Sequence, residues 1–539
     1  MNKKDLKKDT LIKLAIIIGI IIVVNVISKR VFTRIDLTKN NSYTLSAISK
    51  DIVKGLNDKL IVKAYFSDNL PAPYNNLRRQ VQDILNDYRS YSDGNLNYEF
   101  LNPGGSSDGE NSDLEKDAVK YGIQPVQIQV IDNDKMEVKK AFLGLVFLYQ
   151  GKQDIIPVVQ SVGNIEYEIT STIKKLTNEK RKKIGFLQGD GEYDYSKFQQ
   201  INAILSPQYD LVRVETKGYS TPMPEVDVLV VMGPKQELPE TKKFLIDQFI
   251  MKGGNVAFFI NKIVPNVQQQ IIIGDVVKTN LDDMLGNYGV VIYNDLIRDL
   301  QCSQVQVQSQ IGIPVSVNYP YFPSITNIEK ENPAFKNVQA VVTSFVSSLD
   351  LNSAQTKGII AKPLLTTSNK SGKAEGFFFL NLEQFQNLTK KAVDTLFASK
   401  GFVVGATYSG KFNSFYAGKE VPKDTSKDAQ QYSGQKLDVA TKETKMIVVG
   451  DGDFANEEAR PPKDNILFFV NSIDYLADDI GLSQIRGKDV SEAPIEEVSA
   501  STKVFVRYFN LIFPPVLVLL VGFYIWNKRK IRKKTMQSS

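Results

Sequence analysis

A two-domain α/β body held between two membrane-spanning helices is the architecture this sequence predicts, and three observations predict it. Apolar segments stand near the two ends, at 11–27 (LIKLAIIIGIIIVVNVI) and 509–526 (FNLIFPPVLVLLVGFYIW). Each is long enough to cross the hydrocarbon core as a helix, which takes roughly 17–25 residues. From residue 182 onward, continuous apolar strands alternate with helical segments, the pattern of a mostly parallel sheet covered on both faces. Ahead of that, a β-α-β order over 60–102 marks a smaller α/β domain.

Two spans return both termini to one side, and the basic residues say which. Lys528, Arg529, Lys530, Arg532, Lys533 and Lys534 follow the second span, against Lys503 and Arg507 before it. That bias places the C-terminus in the cytoplasm, so the first span runs outward and the body faces the periplasm. A cleaved signal peptide is the alternative for the N-terminus, but Val26-Ile27-Ser28-Lys29-Arg30 lacks a small-residue cleavage site.

The formal charge of +6 is a property of the tails. Residues 1–13 carry +3 and residues 527–539 carry +6; taking those nine from +6 leaves −3 on the remainder. The basicity is therefore an orientation and anionic-lipid signal, which makes membrane lipid a partner and argues against nucleic acid.

Composition removes whole reaction classes. There is no histidine, and Cys302 is the single cysteine. Nucleophilic catalysis of the Ser-His-Asp or Cys-His type has no imidazole to take the proton. His/Cys zinc sites and intramolecular disulfides are equally ruled out. Neither a metal nor a cofactor is expected.

The elements follow in order. LSAISKDIVKGL (45–56) is an amphipathic helix with Thr44 or Ser46 as its N-cap. LIVKAYF (60–66) is a strand, 74–91 a helix with a 3.6-residue apolar period, and NLNYEFLN (95–102) the next strand. Strands are expected at 125–131, 138–149 and 154–159, then a helix over 163–178. The second domain opens with the buried strand KKIGFL (182–187), helix 196–205, strand 211–215 and the apolar run 226–232. Helix 237–254 ends on Gly253-Gly254, and strand NVAFFI (255–260) follows. GFFFLNL (376–382), GFVVGATY (401–408) and KMIVVGD (445–451) are expected to complete the sheet, and 465–478 is a strong amphipathic helix. The chain thus divides into a basic cytoplasmic tail (1–10), a span (11–27), a first periplasmic domain (35–178) and a second (182–486), a linker (487–508), a span (509–526) and a basic tail (527–539). The second domain carries insertions at about 262–350 and 409–444, the latter a polar loop or disordered excursion.

Three motifs bear on chemistry. GATYSGKF (405–412) matches the phosphate-loop pattern up to its lysine, but Phe412 stands where Ser or Thr must hold Mg²⁺ and no helical period follows, so the match is fortuitous. QGDGEYD (188–194) follows the first strand of the parallel sheet, where open α/β sheets bind ligands. Gln188, Gly189, Asp190, Gly191 and Glu192 are therefore candidate ligand- or partner-binding residues, although any such turn favours Gly and Asp for backbone reasons. Asp451 and Asp453 in GDGDF (450–454) follow another strand and stand to approach that loop; the remaining ligands of a calcium loop are absent. Within the spans, Asn25 and Asn510 are placed to hydrogen-bond neighbouring helices or to sit at the headgroups, and Pro514-Pro515 lies in the outer turns of its helix.

In this order the chain resembles the GldG family, gliding-motility-associated auxiliary subunits of type-2 ABC exporters. The resemblance rests on RIDLTKNNSYTLSAISKDIVKGL (34–56), IEYEITSTIKKL (165–176), IGFLQGDGE (184–192), VDVLVVMGPKQELPE (226–240), FVSSLD (345–350), MIVVGDGDFANE (446–457) and NILFFVNSIDYLADDIGLSQIRGKD (465–489). It implies a polytopic permease and a separate cytoplasmic ATPase as partners, with a second copy in a symmetric assembly. It also implies a glutamine-amidotransferase-like or flavodoxin-like second domain, in a chain without the histidine that amidotransferase chemistry requires. Where many relatives carry a histidine in the first turn, this chain reads Gln188-Gly189-Asp190, so a role for that histidine does not carry over. The expected function is a non-enzymatic exporter subunit that binds substrate or a periplasmic partner and packs Asn25, Asn510, Pro514 and Pro515 of its spans against the permease. Two alternatives stand beside it: a membrane-anchored hydrolase or transferase using Asp190, Glu192, Asp451 and Asp453, and a scaffold joining the transporter to the envelope.

Overall fold

The computed structural model describes residues 44–477, apart from 69, 71–73, 104–108, 133–134, 160–162, 178–179, 217, 220–222, 269–270, 309–313, 400 and 426–429, together with 485–486 and 500–537. The expected first span and Asn25 lie outside the described residues. By contacts, the chain forms one compact unit to Ser491 and a second from Glu492.

Ser46 starts helix α1 (Ala47–Lys54): its hydroxyl accepts the Ser49 amide at 3.3 Å, and Glu166 accepts the Ser46 amide at 2.7 Å. Strands β1 (Leu60–Phe66) and β2 (Leu96–Leu101) pair in parallel around helix α2 (Leu77–Tyr91), the expected β-α-β unit. Helix α3 (Gly109–Lys120) leads to the hairpin β3 (Val126–Asp132) and β4 (Lys135–Ala141). The run expected as one strand over 138–149 therefore breaks. At Phe142 the chain leaves the hairpin, because the buried Ser67 exchanges hydrogen bonds with the Phe142 backbone, and β5 (Leu143–Tyr149) joins β1 antiparallel. With β6 (Lys152–Ile156) the first sheet runs β2-β1-β5-β6, and helix α4 (Ile165–Thr177) buries Ile165, Ile169 and Ile173 in its core.

Helix α5 (Gln199–Leu205) covers one face and helix α6 (Glu240–Met251) the other face of an eight-stranded sheet. Its strands are β7 (Lys183–Leu187), β8 (Asp210–Val214), β9 (Val228–Met232), β10 (Asn255–Phe259), β11 (Asn327–Ile328), β12 (Ile360–Thr366), β13 (Val403–Gly410) and β14 (Thr444–Val449), in the order β11-β12-β13-β14-β10-β9-β7-β8. The pairings from β14 to β8 are parallel; those from β14 to β11 are antiparallel. β9 is buried on both faces: Val228, Val230 and Met232 pack with helix α7 (Lys463–Leu476), while Leu229 and Val231 pack with α6. This is why its sequence is continuously apolar.

One expectation fails here. GFFFLNL does not enter the large sheet: Phe378–Phe379 pairs with Ile271–Val276 in a separate three-stranded sheet, and Ile360–Thr366 takes the place beside β13. The 409–444 excursion is held to the body at several points, since the Ser414 hydroxyl and Phe415 amide both donate to buried Asp247 at 2.7 Å. The described residues of the C-terminal unit form a single helix, α8 (Ala500–Gln537), so the last nine residues of the expected linker are helical. Val504–Trp526 within it is long and apolar enough to cross a membrane, one such helix among the described residues.

Candidate functional site

The parallel strands β7, β9, β10 and β14 end side by side, so the turns leaving them meet at one edge of the sheet. Both acidic loops are there, and the structure brings them together. Tyr193 donates its hydroxyl to Asp453 at 2.5 Å, and Asn261, just past β10, donates its side-chain amide to the same oxygen at 2.8 Å. Asn261 also accepts the Gly452 amide at 2.6 Å.

Close backbone approach builds the turns. Gly189 and Gly191 have φ of +113° and +87°, the left-handed region that favours glycine. A Cβ on Gly450 would run into the Ser347 carbonyl, and one on Gly452 would lie 2.8 Å from the Gly233 Cα. Asp190 is buried, and its carboxylate meets the Lys242 ammonium, itself buried on α6, which also donates to the Gln188 carbonyl at 3.1 Å. The Asp190 carbonyl accepts the Lys235 and Gln236 amides at 2.9 and 3.0 Å, and its amide donates to Glu192 at 2.7 Å. Gln188 is buried, its amide nitrogen donating to the Tyr193 carbonyl at 2.8 Å. Lys235 lies over the Tyr193 ring, 4.7 Å from its centre.

Asp451 is fully buried, and its two oxygens accept the Ser344 and Asp453 amides, each at 2.6 Å. Burial first, and the neighbouring Asp453 charge second, push its carboxyl up to about 8. Glu192 is shifted up as well, chiefly by burial, and its Oε1 is buried without a hydrogen-bond partner. The carboxylates of Asp190, Asp451 and Asp453 thus point inward onto an ammonium, backbone amides, an amide side chain and a phenol. Glu192 keeps a buried oxygen uncommitted. The cluster ties four strand ends together, and no three His, Cys, Asp or Glu side chains among the described residues converge as a metal site requires.

Sequence reasoning located both loops but missed Lys242, Tyr193, Asn261 and Ser344. Lys242 stands in the run TKKFLIDQF, and adjacent lysines on a helix read as a solvated face. In fact both are buried, Lys243 against Glu240 and Asp283 at 3.0 Å each. The phosphate-loop-like run lies along β13 and ends at buried Phe412, with no helix after it. Cys302 is half-buried, its thiol pushed up to about 11 by burial.

Asn510, Pro514 and Pro515 lie on α8 with exposed side chains. The helix begins at Ala500, so the prolines sit in its interior rather than near its start. Lacking N–H groups, they leave the carbonyls of Asn510 and Leu511 without their i+4 donors.

A family described as an ABC-type uncharacterized transport system matches residues 181–472, just over half of the chain. The chain belongs to that family. This ABC-transport auxiliary protein also matches a domain of unknown function (DUF7088) over residues 39–148. It is 23% identical over 508 residues to an uncharacterized protein of Borreliella burgdorferi, with 92% of this chain and 93% of that protein covered. Among solved structures, the mmIFT52 N-terminal domain is 12% identical, covering 55% of this chain and 97% of that one, with a TM-score of 0.32. Human ERp44 is 13% identical, covering 33% and 50%, with a TM-score of 0.17. Both scores are too low to support a statement on fold.

Proposed function

We propose that this member of the ABC-transport auxiliary family is a non-catalytic subunit of an exporter-like complex, anchored in the inner membrane with its α/β body in the periplasm and both termini in the cytoplasm. The observation that carries the reading is Val504–Trp526, 23 residues of helix long and apolar enough to cross a membrane, with six basic residues among the eight that follow. An apolar surface of that extent needs lipid or partner helices around it. The carbonyls of Asn510 and Leu511, freed by Pro514-Pro515, are backbone acceptors at membrane depth, where an unsatisfied group is costly. A polytopic permease helix donating to them, with an ATPase below and a second copy of this chain in a symmetric assembly, supplies both needs. The inward-facing carboxylates at the strand ends support a binding or mechanical role over a hydrolytic one. By resemblance to the GldG family, the process served is gliding or surface-protein secretion.

The test is a mild-detergent pull-down of the tagged full chain from native membranes, with mass spectrometry of what accompanies it. A permease and an ATPase recovered together, and lost when residues 509–526 are exchanged for an unrelated span, are expected. Recovery of the chain alone, where other membrane complexes survive intact, refutes the proposal. One observation favours a second reading, a carboxylate-dependent enzyme: the buried, unpaired Oε1 of Glu192, whose raised carboxyl is suited to acid/base work. Under that reading Glu192→Gln abolishes function while the complex stays intact; under the first, function survives.

A further inference from the structure

A cavity of the body lies at the opposite edge of the eight-stranded sheet, across the amino ends of β7, β9, β10 and β14. Lys183 opens β7, Asp227 precedes β9, Gly254 precedes β10 and Lys442 stands two residues before β14; all four line one cleft of about 550 Å³. That is the size of a small-molecule site. The Gly253-Gly254 pair makes its floor. A Cβ on Gly253 would overlap the Lys442 stem and one on Gly254 would overlap the Phe249 ring, so these glycines let both side chains lie flat against the backbone. Tyr219 and Tyr432 form an aromatic wall, their ring centres 5.6 Å apart and backed by Phe244 at 6.1 and 4.9 Å.

The charges around this apolar hollow do not balance. Arg181 is engaged with Asp210 at 3.2 Å and the Tyr209 carbonyl at 2.8 Å. Lys180, Lys183, Lys252 and Lys442 are exposed, and none of their ammonium groups is paired with a carboxylate among the described residues. Two acids line the cleft, Glu225 and Asp227, and Asp227 accepts the Lys183 amide at 2.8 Å. Four uncommitted cations thus ring an aromatic-walled hollow against two acids. Lysine ammoniums suit a compact anion as point charges, and tyrosine and phenylalanine faces suit a flat apolar body.

From this geometry we infer that the amino-edge cleft is a binding site for a small amphiphilic anion, a phosphate- or carboxylate-bearing molecule with a ring-sized apolar body. The site is separate from the acidic loops and does not depend on the transporter reading, so a pull-down without partners leaves it standing. The experiment uses the full chain in lipid nanodiscs, titrated calorimetrically with 1-naphthyl phosphate, 1-naphthol and inorganic phosphate against protein-free nanodiscs. Saturable binding of one naphthyl phosphate per chain is expected, with naphthol and inorganic phosphate each at least about tenfold weaker. Lys252→Gln/Lys442→Gln is expected to weaken naphthyl phosphate about tenfold, two partly exposed charge contacts being lost. Tyr432→Ala should weaken it severalfold, whereas Lys391→Gln, on an exposed helix far along the chain, should leave it unchanged. These lysines are exposed, so the variants keep the parent's thermal midpoint, and a fall in binding reads the site. Absence of saturable binding overturns the inference. So does equal binding of inorganic phosphate or naphthol, or an equal loss in Lys391→Gln.

Discussion

Arg486 is where the chain approaching the C-terminal helix is fastened to the body, and replacing it is the sharpest test of how the body is held. Its guanidinium is buried and meets the fully buried Asp474 of α7 at 2.7 Å. It also donates to Asn471 at 3.1 Å and to the Tyr167 hydroxyl of α4 at 2.9 Å, and stands 4.8 Å over the Tyr167 ring. Tyr209 donates to the second Asp474 oxygen at 2.8 Å. One side chain therefore joins helices of both sheets. Arg486→Met leaves Asp474 buried with Tyr209 in place of a full charge partner, and breaking such a pair from one side costs about 3–5 kcal/mol. Asp474→Leu should cost a similar amount by stranding the guanidinium. The double variant replaces the pair by apolar groups, an exchange often near neutral, so its cost should fall short of the summed singles by at least about 2 kcal/mol. Native-state hydrogen exchange reads this locally: opening free energies should fall in peptides from 165–177 and 463–476 and stay unchanged in 509–526. Protection within about 0.5 kcal/mol of the parent in Arg486→Met, or strict additivity in the double variant, would refute the reasoning.

Burial alone raises the Glu168 carboxyl to about 7, and its Oε2 is buried without a partner. The folded state therefore holds a proton that the unfolded chain releases near pH 4.3, so stability falls as pH rises from about 4.3 to about 7 and is flat beyond. The raised Asp451 carboxyl contributes with the same sign up to about pH 8. Glu168→Gln should flatten the lower part of that decline, which chemical denaturation at a series of pH values measures; an unchanged slope would show that the carboxyl is ionised in the fold. At the strand-end cluster, Lys242→Met strands the buried Asp190 charge and should cost about 3–5 kcal/mol, whereas Lys235→Met removes only a cation–π contact and should cost under about 1 kcal/mol. Comparable losses in the two would mean that the Asp190–Lys242 pair is solvated.

The elements that could be read in advance are those whose burial follows a local period. Helix α2 shows its apolar stripe at Leu77, Val81, Leu85 and Tyr88, and β7, β9, β10 and β14 show uninterrupted apolar runs because both their faces are covered. The unread parts depend on partners distant in the chain. Ile360–Thr366, which carries Lys362 and Pro363, is not among the expected strands, yet it pairs with β13; Phe378–Phe379 reads as a core strand, yet Phe379 is exposed. Asp190 and Asp453 could be placed on strand-end loops, but not joined to Lys242, Tyr193 and Asn261, since no local pattern records which side chain a turn will face.

The sequence by itself determined which side-chain chemistries are open to this protein and where its charge lies along the chain. Without histidine there is no imidazole base anywhere in the chain, and six basic residues with no acid stand after residue 526. These are properties of composition and order, which folding does not change. Only the tertiary structure decided that Asp190 and Asp451 of the strand-end loops turn inward, that Lys242 and Arg486 are buried counter-charges rather than surface groups, and that four lysines without a carboxylate partner among the described residues gather at the other edge of the sheet. Each of those outcomes depends on distances between residues tens to hundreds of positions apart, and electrostatic cost or gain is set by those distances and by burial.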